Sequence, residues 1–265
     1  MEIITMSWPS LDSIVPEKSL LFLPIAPLEE HGPHLPIGVD CQCALEGCRR
    51  SAAKLEGQSN LRPYLFPLVP LGVARETGDF PGTVSLSEKR FFSLVYELLA
   101  LSSRWGFRYA VVVSPHGSPI HLAAIHAAIT QVEKDYPIKI AEPFAHWFFS
   151  LPRNPAPGAI PDIHGGRIET SIMLALHPEQ VDRELAKRLP PVEIDDLRYP
   201  GTWREKGAAE GYLGSPAEAS VEEGQRLLSS LDIWADAAID LLQGVKWPPP
   251  PLIQGLASRL LPIAP

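Results

Sequence analysis

Residues 20–40 read LLFLPIAPLEEHGPHLPIGVD, an apolar run followed by a segment rich in acidic and imidazole side chains. Glycine and proline recur through residues 32–38, so no regular element can continue there. The pattern predicts a strand at 20–25 that ends in a stiff loop, where α/β proteins place their functional residues. Glu29 and His31 are two residues apart, so in extended backbone both point to the same side. Oxygen and nitrogen ligands on one side favour a divalent transition metal.

The bulk composition is that of an ordinary globular protein. The chain has 265 residues, of which 45% are hydrophobic and 20% charged, and its formal net charge is −8. It has no Lys/Arg-rich run, which argues against nucleic acid or an anionic membrane as the main partner. No apolar stretch reaches the roughly 18–20 residues that a membrane span needs. The N-terminus lacks the pattern of a signal peptide.

The three cysteines lie close together, at positions 41, 43 and 48. An odd, clustered set is a poor disulfide framework. The chain also lacks the second cysteine group that a zinc site of this kind would need. We therefore expect reduced cysteines in or beside the core, and a cytoplasmic protein.

Strand-like runs alternate with helical segments along most of the chain. Strands are predicted at 20–25, 64–69, 109–113 and 138–141, and helices at 40–55, 85–105, 119–135, 168–176 and 218–242. Ser85 and Glu88 form a capping-box pattern at the start of the second helix. The alternation indicates an α/β fold, with a mostly parallel sheet covered by helices on both faces. Residues 1–245 are expected to form a single domain, followed by a Pro-rich, extended C-terminal tail at 246–265.

Ligand-type residues recur after strand-like or loop segments: Glu29, His31, Asp40, His116, His164 and Glu169. Because parallel strands gather their carboxyl ends at one edge, the loops after the first and third strands can converge there. Five ligands that share one carboxylate would hold two metals about 3.5–4 Å apart. Each residue also has a structural alternative, such as a histidine that hydrogen-bonds loop backbone, a solvated Glu29, or His116 as a helix cap.

Three motifs carry a resemblance to a known family. Residues 29–40 match Glu-Gln-His-Gly-Pro-His-Leu-Pro-x-x-x-Asp, residues 80–86 match a Phe-Pro-Gly-Thr segment, and residues 164–171 match His-Ala/Gly-Gly-x-x-Glu-Thr-Ser. Residues 211–216 and 223–224 match two further C-terminal positions. On these motifs the sequence, over roughly residues 7–243, resembles the creatininase family of metal-dependent amidohydrolases.

The resemblance implies a three-layer α/β/α sandwich and a centre of two divalent metal ions per subunit, which are zinc, manganese or iron. It also implies a homo-oligomer, often a hexamer, that acts on a small-molecule amide. By position, one metal would be bound by Glu29, Asp40 and His116, and the other by His31 and the bridging Asp40. His164 and Glu169 would be the catalytic residues: His164 transfers protons, and Glu169 is either a ligand of the second metal or an anchor beside it.

The sequence departs from the family pattern around the third strand. Ser114 and Pro119 stand where relatives commonly have asparagine. In the creatinine-hydrolysing enzymes a glutamate ligates the second metal at the position of Ser118, and another precedes the catalytic histidine at the position of Ile163. The second metal is then either weakly held or bound by Glu169. Ser118 and Pro119 also fit an N-cap and a first helical position.

Our hypothesis is a hydrolase that cleaves a C–N bond of a small cyclic amide, a formamide or a related substrate. A metal-bridged hydroxide would attack the carbonyl carbon, and His164 would protonate the departing nitrogen. Creatinine itself is disfavoured by Ser118 and Ile163. Three aromatic residues are candidates for the pocket wall, although core or interface packing is the commoner role of such side chains: Trp147, Phe148 and Trp203.

Two alternatives stay open. The same metals could cleave a phosphoester, but phosphate needs further positive charge, for which Arg75 and Arg167 are the obvious candidates. The altered loop around His116 is also compatible with a non-catalytic relative that keeps the fold for assembly or ligand binding.

Overall fold

The computed structural model describes residues 1–56, 61–150, 160–194 and 201–261. Within these residues the central sheet has four parallel strands in the order β2-β1-β3-β4. The strands are β1 (Ser19–Pro24), β2 (Arg62–Leu65), β3 (Tyr109–Val113) and β4 (Lys139–Ala141). In the central pair Leu20 is opposite Tyr109 and Pro24 is opposite Val113, so β1 and β3 end side by side.

The described residues form ten α-helices. They are α1 (Trp8–Asp12), α2 (Val39–Glu56), α3 (Glu88–Arg104), α4 (Pro119–Asp135), α5 (Phe144–Ser150), α6 (Arg167–Leu176), α7 (Arg183–Ala186), α8 (Val221–Leu228), α9 (Ile233–Leu242) and α10 (Pro251–Ala257). None of them is both long and apolar enough to cross a membrane.

The sheet is covered on both faces because alternate residues of its central strands point in opposite directions. Leu20 and Phe22 pack with side chains of α2 and α9, whereas Leu21 and Leu23 pack with side chains of α3 and α4. All six residues of β1 are buried, as in other strands of parallel sheets. The predicted three-layer α/β/α sandwich with a mostly parallel sheet is therefore confirmed.

The predicted 218–242 helix is wrong in its continuity. It is divided into α8 and α9 by a 3₁₀ turn at Ser229–Asp232. The hydroxyls of Ser229 and Ser230 donate to the carbonyl oxygens of Arg226 and Leu227, three residues back. Such bonds compete with the i→i−4 ladder and favour the tighter turn.

The capping-box prediction is also wrong. The N-cap of α3 is Ser87, and the hydroxyl of Ser85 instead accepts a hydrogen bond from the backbone N–H of Ala74 at 3.0 Å. Ser85 therefore joins the neighbouring loop to this segment.

The Pro-rich tail is not simply extended. Pro251 occupies the first turn of α10, a position that suits its fixed φ. Ile253 and Ala257 of this helix are buried in the same core cluster as residues of α4. The division into a domain at 1–245 and a tail at 246–265 stays a prediction. The three cysteines are buried and form no disulfide, as expected.

Candidate metal centre

The loop after β1 is held by the 80–86 segment. The backbone N–H of Glu30 donates to the Thr83 hydroxyl at 3.1 Å, and the N–H of Val84 donates to the carbonyl oxygen of Leu28 at 2.8 Å. These bonds satisfy a loop whose side chains lie inside the protein, since Glu29 and His31 are 2% and 1% exposed. The Phe-Pro-Gly-Thr motif therefore supports the ligand-rich loop.

One group of ligand-type atoms forms where β1 and β3 end. The Nδ1 atom of His116 lies 2.9 Å from Oε2 of Glu29 and 3.0 Å from Oδ2 of Asp40. Asp40 reaches this point from the first turn of α2, and His116 follows β3 directly. The side chains of Glu29, Asp40 and His116 thus meet, as the parallel sheet predicts.

A second group shares Asp40 with the first. The Nε2 atom of His31 lies 3.5 Å from Oδ1 of Asp40 and 3.7 Å from Oε1 of Glu169. Glu169 comes from the first turn of α6, and its Oε2 accepts the backbone N–H of Gly165 at 2.5 Å. Within each group the ligand atoms lie within 4.8 Å of one another.

Glycine at position 165 makes this approach possible. Gly165 has φ +57°, and a Cβ there would be 2.5 Å from the carbonyl oxygen of His31. Any side chain at position 165 would therefore push the loop before α6 away from the loop after β1.

The two histidines present a defined nitrogen to the carboxylates. Nδ1 of His31 donates to the carbonyl oxygen of Glu29 at 2.9 Å, and Nε2 of His116 donates to the carbonyl oxygen of Val73 at 3.0 Å. Because a carbonyl oxygen only accepts, the proton of each neutral ring is on that nitrogen. The other nitrogen keeps its lone pair and faces the acids, as in metal-binding histidines.

The donor set fits divalent cations. Four buried atoms in and beside the two groups have no hydrogen bond within the described parts of the chain: Glu29 Oε2, Glu30 Oε1, His31 Nε2 and Asp40 Oδ2. Three of these are ligand atoms of the groups described above. Buried polar atoms are rarely left unpaired, and carboxylate oxygen with imidazole nitrogen suits zinc, manganese or iron.

The buried carboxylates and imidazoles of the two groups shift one another's pKa values. Burial alone lowers the pKa of His31, but the carboxylates of Glu169 and Asp40 outweigh it and raise the pKa to about 10. Burial raises the pKa of Asp40, but the facing His31 and His116 rings bring it well below its usual range. The carboxylate of Asp40 therefore remains ionised and attracts either protons or a cation to the facing nitrogens.

His164 lies against this pair of groups. Its ring centroid is 4.2 Å from that of His31, and its Nε2 donates to the carbonyl oxygen of Glu30 at 2.7 Å. Its backbone is fixed by paired bonds with Leu213, so the 211–216 motif supports it. Burial and the nearby His31 lower the pKa of His164, but Glu29, Glu30 and Glu169 raise it overall.

The other residues singled out in the sequence have different surroundings. Ser118 is the N-cap of α4 but makes no side-chain cap bond, and its buried hydroxyl has no partner in the described structure. Trp203 is in the apolar cluster that Ile163 borders, with its ring 6.3 Å from that of His164. Trp147 and Phe148 pack against the main core, and a Cβ at Gly117 would meet the Phe148 ring at 2.8 Å.

Sequence reasoning missed residues that hold the ligands in place. Thr77 is fully buried, and its hydroxyl donates to Oε1 of Glu29 at 2.6 Å. Val73 supplies the carbonyl that orients His116. Both residues come from the irregular segment between β2 and α3, and no periodicity or spacing distinguishes them in the sequence.

Known proteins resemble this chain in sequence and in fold. The family model described as creatininase, creatinine amidohydrolase, matches residues 5–240. The mycofactocin precursor peptide peptidase of Mycolicibacterium smegmatis is 28% identical over 83% of this chain and 83% of its own length. The creatinine amidohydrolase of Pseudomonas putida is 27% identical over 79% of this chain and 84% of its own length.

A solved structure described as creatininase Mn has the same fold, with a TM-score of 0.70 and 23% identity over 94% of this chain and 98% of that chain. The family model covers far more than half of the sequence, and both curated relatives are aligned over most of their length. This chain therefore belongs to the creatininase family of hydrolases.

Proposed function

We propose that this protein is a metal-dependent amidohydrolase that cleaves a C–N bond of a small cyclic amide, a formamide or a related substrate. Two divalent ions, zinc, manganese or iron, would be held by Glu29, Asp40 and His116 and by His31, Asp40 and Glu169, with Asp40 shared. The observation that carries the proposal is the convergence of buried, unpartnered ligand atoms at the carboxyl edge of the sheet.

Metals bound there would supply a Lewis acid for the substrate carbonyl and an acidified water. The protein holds its own groups ready for the rest of the reaction. Thr77 fixes one oxygen of Glu29, which leaves Oε2 directed at His116. His164 is held through Nε2, so Nδ1 of its protonated ring is the atom that can give a proton to a leaving nitrogen, and the raised pKa of His164 favours that protonated form.

The substrate class follows from the relatives and from the departures. A peptidase and an amidohydrolase both hydrolyse C–N bonds, which supports that bond type for this chain. Ser118 and Ile163 replace carboxylates of the creatinine-hydrolysing enzymes, so we propose a substrate other than creatinine. Trp203, next to His164, is the aromatic side chain best placed to contact it.

The phosphoesterase alternative is less well supported. The guanidinium of Arg75 pairs with Glu88, and that of Arg167 pairs with Glu223. Both candidate cations are therefore already engaged by acids, whereas a phosphoester site needs positive charge beyond its metals.

The assembly and location are proposed on the resemblance and on the composition. We propose a cytoplasmic homo-oligomer, in line with the hexamers common in the family and with the unpaired cysteines.

Metal content and a substrate panel test the proposed function. The purified protein should hold about two divalent ions per chain by elemental analysis. It should hydrolyse at least one member of a panel of lactams, formamides and short peptides, and should leave phosphoesters intact. Less than about one metal per chain, unchanged by Glu29→Ala or His116→Ala, would favour the non-catalytic alternative.

His164→Ala separates proton transfer from metal binding. The variant should retain its metal but lose about 10²–10⁴-fold in turnover, the usual worth of a general acid. His146→Ala is the matched control, because His146 is exposed on α5. Wild-type turnover in His164→Ala would remove His164 from the mechanism.

A further inference from the structure

A second buried histidine lies behind the metal-facing ring of His116. His121 is in the first turns of α4 and is fully buried. Its ring centroid is 4.9 Å from that of His116, edge to face, and it stacks on Phe91 with centroids 4.5 Å apart. No ligand-type pattern in the sequence includes it.

Hydrogen bonds on both sides fix the tautomer of His121. The backbone N–H of Val73 donates to its Nδ1 at 3.1 Å. A nitrogen that accepts from an amide carries no proton, so the proton of the neutral ring is on Nε2. Nε2 lies 2.8 Å from the hydroxyl oxygen of Ser114, to which it therefore donates.

The same bonds connect His121 to His116 through a single residue. The N–H of Val73 donates a hydrogen bond to His121, and the carbonyl oxygen of Val73 accepts one from Nε2 of His116 at 3.0 Å. Val73 is fully buried, so an unpaired N–H there would carry the full cost of desolvation. The position of the carbonyl that orients His116 thus depends on a partner for the Val73 N–H.

Two neighbouring residues allow the hydrogen bond between His121 and Val73. Ser114 directly follows β3 and is fully buried. A Cβ at Gly72 would lie 2.8 Å from the His121 ring, so glycine lets the imidazole reach the backbone. Ser114, His121 and Gly72 form one arrangement around Val73.

We infer that His121, together with Ser114, is a positioning residue that holds Val73 and through it aims Nδ1 of His116 at the metal. The inference rests on the proposed metal site but concerns residues outside it. Partners of a ligating histidine commonly contribute 10–100-fold to metal affinity, so removal of His121 should weaken binding without removing a ligand.

Zinc affinity of the folded protein tests the inference, measured by competition with a chromogenic chelator. His121→Leu should lower the zinc affinity of the site formed by Glu29, Asp40 and His116 by about 10–100-fold. His121→Gln should restore most of it, because a glutamine can accept from Val73 and donate to Ser114. Ser114→Ala, which loses one hydrogen bond, should lower affinity by about fivefold.

His126→Leu is the matched control. His126 is buried on the same helix and pairs with Glu142 at 2.9 Å, with no bond to Val73 or His116. It should lose as much thermal stability as His121→Leu but keep wild-type zinc affinity. Should His121→Leu not fold, the inference is tested by the loss of about fivefold in zinc affinity expected for Ser114→Ala, with His121→Gln expected to stay near the wild type.

The outcomes separate the inference from the proposed function. Folded His121→Leu and Ser114→Ala variants that bind zinc as tightly as the wild type would overturn the inference while leaving the metal site in place. A wild-type protein that binds none of zinc, manganese and iron would instead remove the proposed function itself.

Discussion

At the level of single residues, Asp40 is the side chain shared by both ligand groups of the proposed centre. Its two oxygens face different histidines, Oδ1 towards His31 at 3.5 Å and Oδ2 towards His116 at 3.0 Å. It lies in the first turn of α2, where the partial positive charge of the helix N-terminus favours an ionised carboxylate. One side chain therefore supplies negative charge to both groups.

Asp40→Ala should empty both metal positions, because each loses a ligand and the shared charge. Elemental analysis should show a fall from about two ions per chain to near zero. Glu56→Ala, at the exposed C-terminal end of the same helix, should leave metal content unchanged. Full metal content in Asp40→Ala would contradict the shared-ligand arrangement.

The residues that converge here were largely predictable, whereas those that hold them were not. Glu29 and His116 follow neighbouring parallel strands, and the topology of such sheets brings those strand ends together. Thr77 and Val73 come from irregular backbone whose path depends on tertiary packing. His121 begins the continuous buried run 121–129 of α4, where a pattern cannot separate a histidine that positions a ligand from one that only packs in the core.

At the level of elements, α6 and α8 pack closely against each other beside the proposed centre. Gly224 of α8 lies against α6, and a Cβ there would be 1.9 Å from the carbonyl oxygen of Ser171. Because α6 also carries Glu169, this crossing sets the position of a proposed ligand.

Gly224→Ala should destabilise the protein, although alanine is the better helix former. Backbone cannot move aside cheaply, so we expect a loss of about 3 kcal/mol in the free energy of unfolding. Gly255→Ala in α10 is the control, since nothing lies within 4 Å of its Cβ position. Urea denaturation should show that the control is equal to or more stable than the wild type by up to about 1 kcal/mol. Equal stability of Gly224→Ala and wild type would contradict the close crossing.

Asp162 precedes α6, and its carboxylate accepts hydrogen bonds from the backbone N–H groups of Arg167 and Ile168 in the first turn. Its pKa predicts a pH dependence of stability. Burial and the nearby Glu169 raise its pKa from 3.8 to about 6, against the lowering effect of hydrogen bonds from Ile168 and Arg167. A raised pKa means that its stabilising contribution is complete below about pH 3.8 and is lost as the pH rises through about 6.

Asp162→Asn keeps an oxygen that accepts from the helix N–H groups but cannot ionise. Relative to wild type, its free energy of unfolding should rise between pH 4 and pH 7, by up to ~3 kcal/mol. Urea titrations at pH 4, 5.5 and 7 measure this difference. A constant difference across that range would show that Asp162 does not titrate there.

Element prediction succeeded where one periodicity dominated. The β-branched run Tyr109–Val113 and the alanine-rich helix Pro119–Asp135 are where the sequence predicts them. The apolar pattern at 218–242 is helical throughout, but the hydroxyls of two adjacent serines, Ser229 and Ser230, bond to backbone carbonyl groups and interrupt the helix there. The tail was judged from its prolines alone, and burial of Ile253 and Ala257 outweighs that tendency in α10.

At the level of the whole molecule, the proposed centre joins segments that are far apart in sequence. Its ligands come from the loop after β1, from α2, from the loop after β3 and from α6. The buried carboxylates at this edge of the sheet repel one another unless protons on the histidines or bound cations neutralise their charge. Cations there would therefore stabilise the folded state as a unit.

Removal of the metal should lower the melting temperature. An ion that binds only the folded chain adds about 4 kcal/mol when its concentration is 1,000 times its Kd, which corresponds to a shift on the order of 10 °C for a chain of this size. Scanning calorimetry of the metal-loaded protein, with and without EDTA, should show this loss and its recovery on addition of Zn²⁺. Asp40→Ala should melt at one temperature under both conditions, because it has no shared carboxylate to bind the ions. Identical melting of wild type with and without chelator, at confirmed metal loss, would mean that the acids and histidines are stabilised by their own protons and hydrogen bonds, and that the carboxyl edge of the sheet needs no cation to hold its loops together.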